Sequence, residues 1–244
     1  MTRTLRPTNS GIAIALKLIA GLGNPGPQYA RTRHNVGADW VRELAGEFQI
    51  PLALDSKFKA EIGRGSIHGH DVRLMIPITF MNNSGDAICA VAQFYKLDVA
   101  ELLIAHDEVA FAPGVVKLKN GGGENGHNGL RSVRARLANQ GGYNRLRIGV
   151  GHPGNKSQVN HYLTQQTPSQ EERDTVAAAG RLSPTVLGAM LAGEWQIAMT
   201  ALHTSEQAPV DKAQVQKAPA SPANDEAAAG QTQANDSSGE QDGI

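Results

Sequence analysis

Histidine and aspartate are the residues in this sequence best suited to moving a proton. His34 stands in Thr32-Arg-His-Asn35, among polar neighbours and just ahead of a stretch with helical periodicity. Asp107 ends an apolar run in Ile104-Ala-His-Asp-Glu108, and layered α/β proteins place their sites at the carboxyl ends of strands. Facing each other from adjacent loops, the carboxylate would orient the imidazole and favour the tautomer able to accept a proton. Each residue also has a plainer reading: His34 as a helix-entry or surface residue, Asp107 as a cap or turn. Three asparagines add amide groups that both donate and accept. Asn24 sits in the loop Gly21-Leu-Gly-Asn-Pro-Gly26, and Asn82 in Thr79-Phe-Met-Asn-Asn-Ser-Gly85, where it is a candidate for binding an ester carbonyl or an amide. Asn83 or Ser84 is a candidate N-cap for the helix that follows. Asn128 closes the glycine-rich segment Gly121-Gly-Gly-Glu-Asn-Gly-His-Asn-Gly129, which reads either as a mobile loop or as a cradle of backbone amides for an anion.

Other schemes find less support. There is no Gly-x-Ser-x-Gly elbow and no His-Glu-x-x-His pair, and the lone Cys89 lies in an apolar helical stretch that suggests core. His68-Gly-His70 falls in a hairpin turn, and neither it nor His106-Asp107 is expected to hold a metal. Gly21–Gly26 matches the dinucleotide-binding pattern G-x-G-x-x-G literally. Pro25 and Pro27 nevertheless remove two amide donors, and no helix begins until about Val36, so a nucleotide-dependent oxidoreductase rests on this loop alone.

The elements that must position these groups alternate between strand and helix. Leu16–Leu22 reads as a buried strand, Val36–Phe48 as a helix, Lys57–Ile67 and Asp71–Ile76 as paired strands turning at Gly69, and 83–96 as a helix. Leu102–His106 is a second buried strand. Val115–Lys119 and Arg145–Val150 are strands around a helix near His127–Leu137, and two further helices follow Pro168 up to about Leu202. The expected fold is a single α/β domain with a mixed, mostly parallel twisted sheet flanked by helices. It occupies residues 16–204, between a flexible leader (1–15) and a disordered acidic tail (205–244).

Charge is the property that misleads most. The 244 residues carry 23 basic and 23 acidic side chains, a net of zero that speaks against nucleic acid. Residues 205–244, however, hold two lysines against seven acids, a net of −5, and contain no aromatic residue. Residues 1–204 therefore carry +5, and between Lys117 and Lys156 eight basic residues meet the single acid Glu124. Such a segment is either a solvated basic face or a surface for phosphates. No apolar run approaches the roughly 20 residues needed to cross a bilayer, and a cytoplasmic protein with no membrane partner is expected.

Taken in order, Leu22-Gly-Asn-Pro-Gly26, Tyr29, Thr32-Arg-His-Asn-Val-Gly37, Thr79–Gly85, Ala105-His-Asp-Glu108, Lys119–Gly123, Gly126-His-Asn-Gly129 and Arg145–Gly154 resemble the bacterial peptidyl-tRNA hydrolases. The likeness covers about Lys17 to His203. It implies hydrolysis of the ester between a peptide and the 3′ ribose of tRNA, by a cytoplasmic monomer using neither cofactor nor metal. His34 is similar to the base that activates water, Asp107 to the residue that holds its ring, and Asn24 to the group that tests whether the amino acid is N-blocked. Asn82 and Asn128 would hold the peptide backbone and position water or the scissile carbonyl, with Tyr29 and Phe80 beside the substrate and Met81 and His127 supporting them. Lys119 and Arg147 would clamp the tRNA 5′ phosphate, while Lys117, Arg131, Arg134 and Lys156 add a broader positive field. A non-catalytic RNA-binding relative is the rival reading, and it leaves the His34 base without a purpose.

Overall fold

The computed structural model describes residues 13–205. Most of the leader (1–12) and the tail from 206 onward lie outside the described residues. Of residues 13–15, Ala13 is exposed, whereas Ile14 lies against Gly193, where an added Cβ would sit 2.2 Å from the Ile14 carbonyl oxygen.

Among the described residues, seven strands form one sheet in the order β2-β3-β4-β1-β5-β7-β6. They are β1 (Leu18–Gly21), β2 (Ala53–Asp55), β3 (Ala60–Ile67), β4 (His70–Pro77), β5 (Leu102–Glu108), β6 (Val116–Asn120) and β7 (Asn144–Gly149). The central pairings β4–β1, β1–β5 and β5–β7 are parallel, whereas β2–β3, β3–β4 and β6–β7 are antiparallel. Parallel strands covered on both faces read as unbroken apolar runs, and β1 and β5 are buried along their whole length. Successive side chains serve opposite layers. Leu18, Ala20, Leu102 and Ile104 enter one core, and Ile19, Leu103 and Ala105 the other.

The helices are α1 (Val36–Glu47), α2 (Ser84–Phe94), α3 (Asn128–Arg136), α4 (Val159–Thr164), α5 (Gln170–Gly180), α6 (Pro184–Ala192) and α7 (Trp195–Ser205). The buried faces of α1, α6 and α7 join one core, those of α2 and α3 the other. Three elements depart from the periodicity reading. Strand β2 has three residues, mostly exposed, and α4 buries only Leu163, so neither carries a repeating apolar signal. Three helices rather than two follow Pro168. Ser183 and Pro184 begin α6, with Ser183 Oγ accepting from Val186 N, and Gly193 ends it in the left-handed region at φ 80°.

The glycine-rich loop after β1 also has a structural explanation. A Cβ on Gly21 would lie 2.2 Å from the carbonyl oxygen of Gly37, and one on Gly37 would lie 2.2 Å from that of Ala105. Glycine at both positions lets the start of α1 lie directly on β1 and β5. After the loop come single-turn 3₁₀ helices at Pro27–Tyr29 and Arg33–Asn35, not a helix N-terminus aimed at a pyrophosphate. Because the chain leaves β1 for the edge strand β2, returns through β3 to β4 beside β1 and then crosses to β5 on the other side, the carboxyl ends of β1 and β5 frame the crevice between the two halves of the sheet.

Candidate active site

His34 and Asp107 meet in that crevice. The 3₁₀ turn Arg33–Asn35 leads into α1 and holds His34 buried, while Asp107 comes from the end of β5. His34 Nδ1 lies 2.7 Å from Asp107 Oδ1. His127 Nε2 reaches the same oxygen at 3.0 Å.

The protons on these rings follow from the neighbours. His127 is the N-cap of α3, and its Nδ1 accepts from the backbone N–H groups of Gly129 (3.1 Å) and Leu130 (3.3 Å). With Nδ1 accepting, the ring proton sits on Nε2 and is donated to Asp107. Ionised Asp107 likewise takes the Nδ1–H of His34, which leaves the lone pair of His34 Nε2 for an external proton. His34, Asp107 and His127 offer donor atoms within 4.8 Å of one another, a spacing that could suit a cation. Here the facing atoms are used in hydrogen bonds, with both imidazole N–H groups converging on one carboxylate oxygen.

Electrostatics reinforces the geometry. Burial opposes charge on His34, but the adjacent Asp107 charge and its hydrogen bond outweigh this and raise the imidazole pKa above its ordinary value. Burial opposes the Asp107 charge too, and the two histidines overcome it, holding the carboxyl well below the usual range. His106 lies behind the pair, its ring 5.1 Å from that of His127, and burial pushes its pKa down to about 3. It is a neutral packing residue that donates Nδ1–H to the Asp107 carbonyl at 2.7 Å.

Asn24 is held by Met81 and by Asn35, the neighbour of His34 in sequence. Its Oδ1 accepts from Met81 N at 2.8 Å. Asn35, next to His34, grips the Asn24 backbone twice: Oδ1 accepts from Asn24 N (2.8 Å) and Nδ2 donates to Asn24 O (2.9 Å). With Oδ1 so engaged, the donor left to the half-buried Asn24 side chain is its Nδ2 group. Met81 brings the third loop close, since a Cβ on Gly129 would fall 2.5 Å from Met81 Sδ and 3.0 Å from His127 Cε1. Phe80 is 55% exposed beside it, and Asn82 is exposed in the 3₁₀ turn Met81–Asn83. Neither expected cap of α2 forms: Asn83 makes no side-chain cap bond, and the buried Ser84 Oγ has no hydrogen-bond partner. A cavity of about 320 Å³ lies nearby, lined by Arg33, Asp39 and Trp40 among others but by neither His34 nor Asp107.

The order of these loops along the chain is that of one known family, whose model, described as peptidyl-tRNA hydrolase, matches residues 18–210. The chain belongs to the peptidyl-tRNA hydrolase family. It is 46% identical over 192 residues to the peptidyl-tRNA hydrolase of Pseudomonas aeruginosa, covering 79% of this chain and 98% of the relative. Identity to that of Pseudomonas fluorescens is the same over the same lengths. A crystal structure of peptidyl-tRNA hydrolase from Acinetobacter baumannii superposes with a TM-score of 0.74 at 40% identity, covering 80% of this chain and 97% of that one.

Within this peptidyl-tRNA hydrolase fold, the remaining residues singled out from the sequence fall into separate groups. Tyr29 is half-buried in the 3₁₀ turn Pro27–Tyr29. Asn128 is exposed at the first turn of α3, where its Oδ1 accepts from Arg131 Nη1 at 3.1 Å. Lys156 is exposed at the start of a later 3₁₀ turn. On the sheet edge, Lys117 pairs with Arg147 across β6–β7, and Lys119 with Arg145. Several of these cations are engaged internally. Buried Arg145 donates to the carbonyls of Gly123 (2.7 Å) and Gly122 (2.6 Å), and Arg134 binds Glu124 at 2.6 Å. The glycine-rich loop is thus tied down by side chains, contrary to the mobile-loop reading. Sequence reasoning gave Asn35, Arg33, Glu108 and Arg145 no role. Arg33 is saturated by both carboxylate oxygens of Glu172 at 2.7 Å, with its guanidinium 3.9 Å over the Tyr162 ring. It anchors the turn that carries His34. For Glu108 the available signal was a second acid at the end of an apolar strand.

Proposed function

We propose that this protein hydrolyses the ester joining a peptide, or another N-blocked aminoacyl group, to the 3′ ribose of tRNA, and so recycles tRNA from prematurely released peptidyl-tRNA. The observation that carries the mechanism is the 2.7 Å contact between His34 Nδ1 and Asp107 Oδ1. His34 Nε2 takes a proton from water, and the resulting hydroxide attacks the ester carbonyl. The tetrahedral intermediate collapses as the ribose 3′ oxygen leaves, and that oxygen receives the proton back from His34. Asp107 orients the ring and stabilises the imidazolium between the two transfers. Asn82 and Asn128 supply amide groups to the peptide backbone and the scissile carbonyl. An ester expels a better leaving group than an amide, so the scheme draws on no metal, cofactor or covalent nucleophile.

Asn24 reads the substrate's amino end. With its oxygen occupied by Met81 N, it offers a donor, which suits the carbonyl of a blocking acyl group and repels a free ammonium. Wild-type enzyme is therefore expected to cleave N-acetyl-aminoacyl-tRNA in preference to unblocked aminoacyl-tRNA. Asn24→Asp should cut that preference, as the ratio of kcat/KM, by about tenfold or more. Equal cleavage of both substrates by the wild type would overturn the role of Asn24.

The basic edge is the surface for tRNA phosphates, with Lys119 and Arg147 on the 5′ phosphate and Lys117 and Lys156 beyond them. Lys117 lies opposite Arg147 and Lys119 opposite Arg145 across β6–β7, which gathers positive charge on this edge. Lys117 and Lys119 have no carboxylate partner among the described residues. Replacing Lys119 and Arg147 together by alanine should raise KM and lower the slope of log KM against log salt by about 1 to 2. An unchanged slope would remove this surface from the tRNA path. Tyr29, Phe80, Met81 and His127 flank the crevice as substrate-side and supporting residues. We read the protein as a monomer, and its tRNA substrate supports a cytoplasmic location. Among the described residues no single helix is long and apolar enough to cross a membrane.

A further inference from the structure

Glu108 follows Asp107 at the end of β5 and is buried, yet the proton transfer does not use it. Its carboxylate is fully occupied. Oε1 accepts from Ala110 N at 3.1 Å and from Asn125 Nδ2 at 3.0 Å. Oε2 accepts from Arg147 Nε at 3.1 Å and Nη2 at 2.9 Å.

Two of these donors belong to parts with different duties. Asn125 lies in the glycine-rich loop, in the left-handed region at φ 48°, where a non-glycine residue needs local support. Two and three residues later, that loop delivers His127 to Asp107 and begins α3 with Asn128. Arg147 stands on β7 with its guanidinium 4.3 Å over the Phe111 ring, and Lys117 faces the same ring at 5.2 Å. One carboxylate thus joins the loop that completes the active site to the cation at the phosphate surface.

We propose that Glu108 is a positioning residue that couples phosphate recognition at Arg147 to the placement of the Asn125–Asn128 segment. The proposal rests on the reading of Arg147 as a ligand of the tRNA 5′ phosphate. In the free enzyme Arg147 and Asn125 share the carboxylate. A phosphate that draws Arg147 away leaves Asn125 and the Ala110 N–H as the remaining donors to Glu108, so the loop is gripped more tightly when a phosphorylated substrate is bound. The same carboxylate competes with phosphate for Arg147 and moderates tRNA affinity, which helps the product tRNA to leave.

The test compares N-acetyl-aminoacyl-tRNA with and without its 5′ phosphate, with kcat and KM measured separately. In the wild type, removing the phosphate should raise KM and also lower kcat, the latter by about fivefold. In Asn125→Ala, whose side chain leaves the sheet intact, removing the phosphate should still raise KM but leave kcat unchanged. Glu108→Gln should show the same loss of the kcat effect. Its KM should be no higher than that of the wild type, because a competing anion has been removed. A residue that served only the fold would move both constants together in all substrates. If the phosphate changes neither constant in the wild type, the Arg147 reading fails and the coupling with it. If the phosphate changes KM alone in the wild type, or its effect on kcat survives in Asn125→Ala, Arg147 keeps its role and the coupling is overturned.

Discussion

His34→Ala is expected to lower kcat for N-acetyl-aminoacyl-tRNA by roughly 10²–10⁴-fold, the usual contribution of a positioned general base, while tRNA affinity changes little. Of the three clustered imidazoles, that of His34 is the one whose second ring nitrogen has a lone pair left for water. Its Nδ1 side is committed to Asp107, and His127 has its Nδ1 tied to the start of α3. His106 is neutral and buried behind them. No neighbour can take over the proton. The phosphate surface lies on β6 and β7 and is not built on His34, so binding measured at low salt should persist. Near-wild-type turnover by this variant would overturn the assignment.

Asp107→Asn is expected to be at least as damaging, by about 10³–10⁴ in kcat, and it also moves the pH profile. A carboxamide can present its N–H₂ to His34 Nδ1, which places the ring proton on Nε2 and removes the lone pair that accepts from water. The direction of the pH change follows from charge. A base works in its neutral form, so the rate rises with pH through the His34 pKa. Asp107 stabilises the imidazolium and raises that pKa above its ordinary 6.5, so the acidic limb of the wild-type profile should have its midpoint above 6.5. Removing the carboxylate leaves burial, which disfavours the charged ring, and the limb should shift to lower pH. A stopped-flow or quench measurement of kcat/KM across the acid range tests both effects.

What could be read from the sequence follows from how local each cause is. The parallel strands β1 and β5 were legible because burial on both faces makes them unbroken apolar runs. Their carboxyl ends pointed to the loops of Asn24, His34 and Asp107. The glycines of Gly21–Gly26 were legible as a pattern but not in their cause. Gly21 is required by the Gly37 carbonyl, which is close to it only once α1 lies on the sheet. Asn35, Arg33 and Glu108 stayed silent because their partners are remote in sequence: Arg33 reaches Glu172 across 139 positions, and Glu108 reaches Arg147 across 39. Counting charges found the basic segment but could not separate Lys117 and Lys119, which lack acidic partners among the described residues, from Arg134 and Arg145, which serve the glycine-rich loop. The short α4 and β2 lack any apolar period because they bury almost nothing.

The most direct test of His34 as the base follows its ring by NMR across the same pH range in which kcat/KM is measured, in the wild type and in Asp107→Asn. The prediction is that the His34 titration and the acidic limb of the rate share a midpoint above 6.5 in the wild type, and that both move down together in the variant. A rate limb that stays in place while the His34 titration moves would contradict the account.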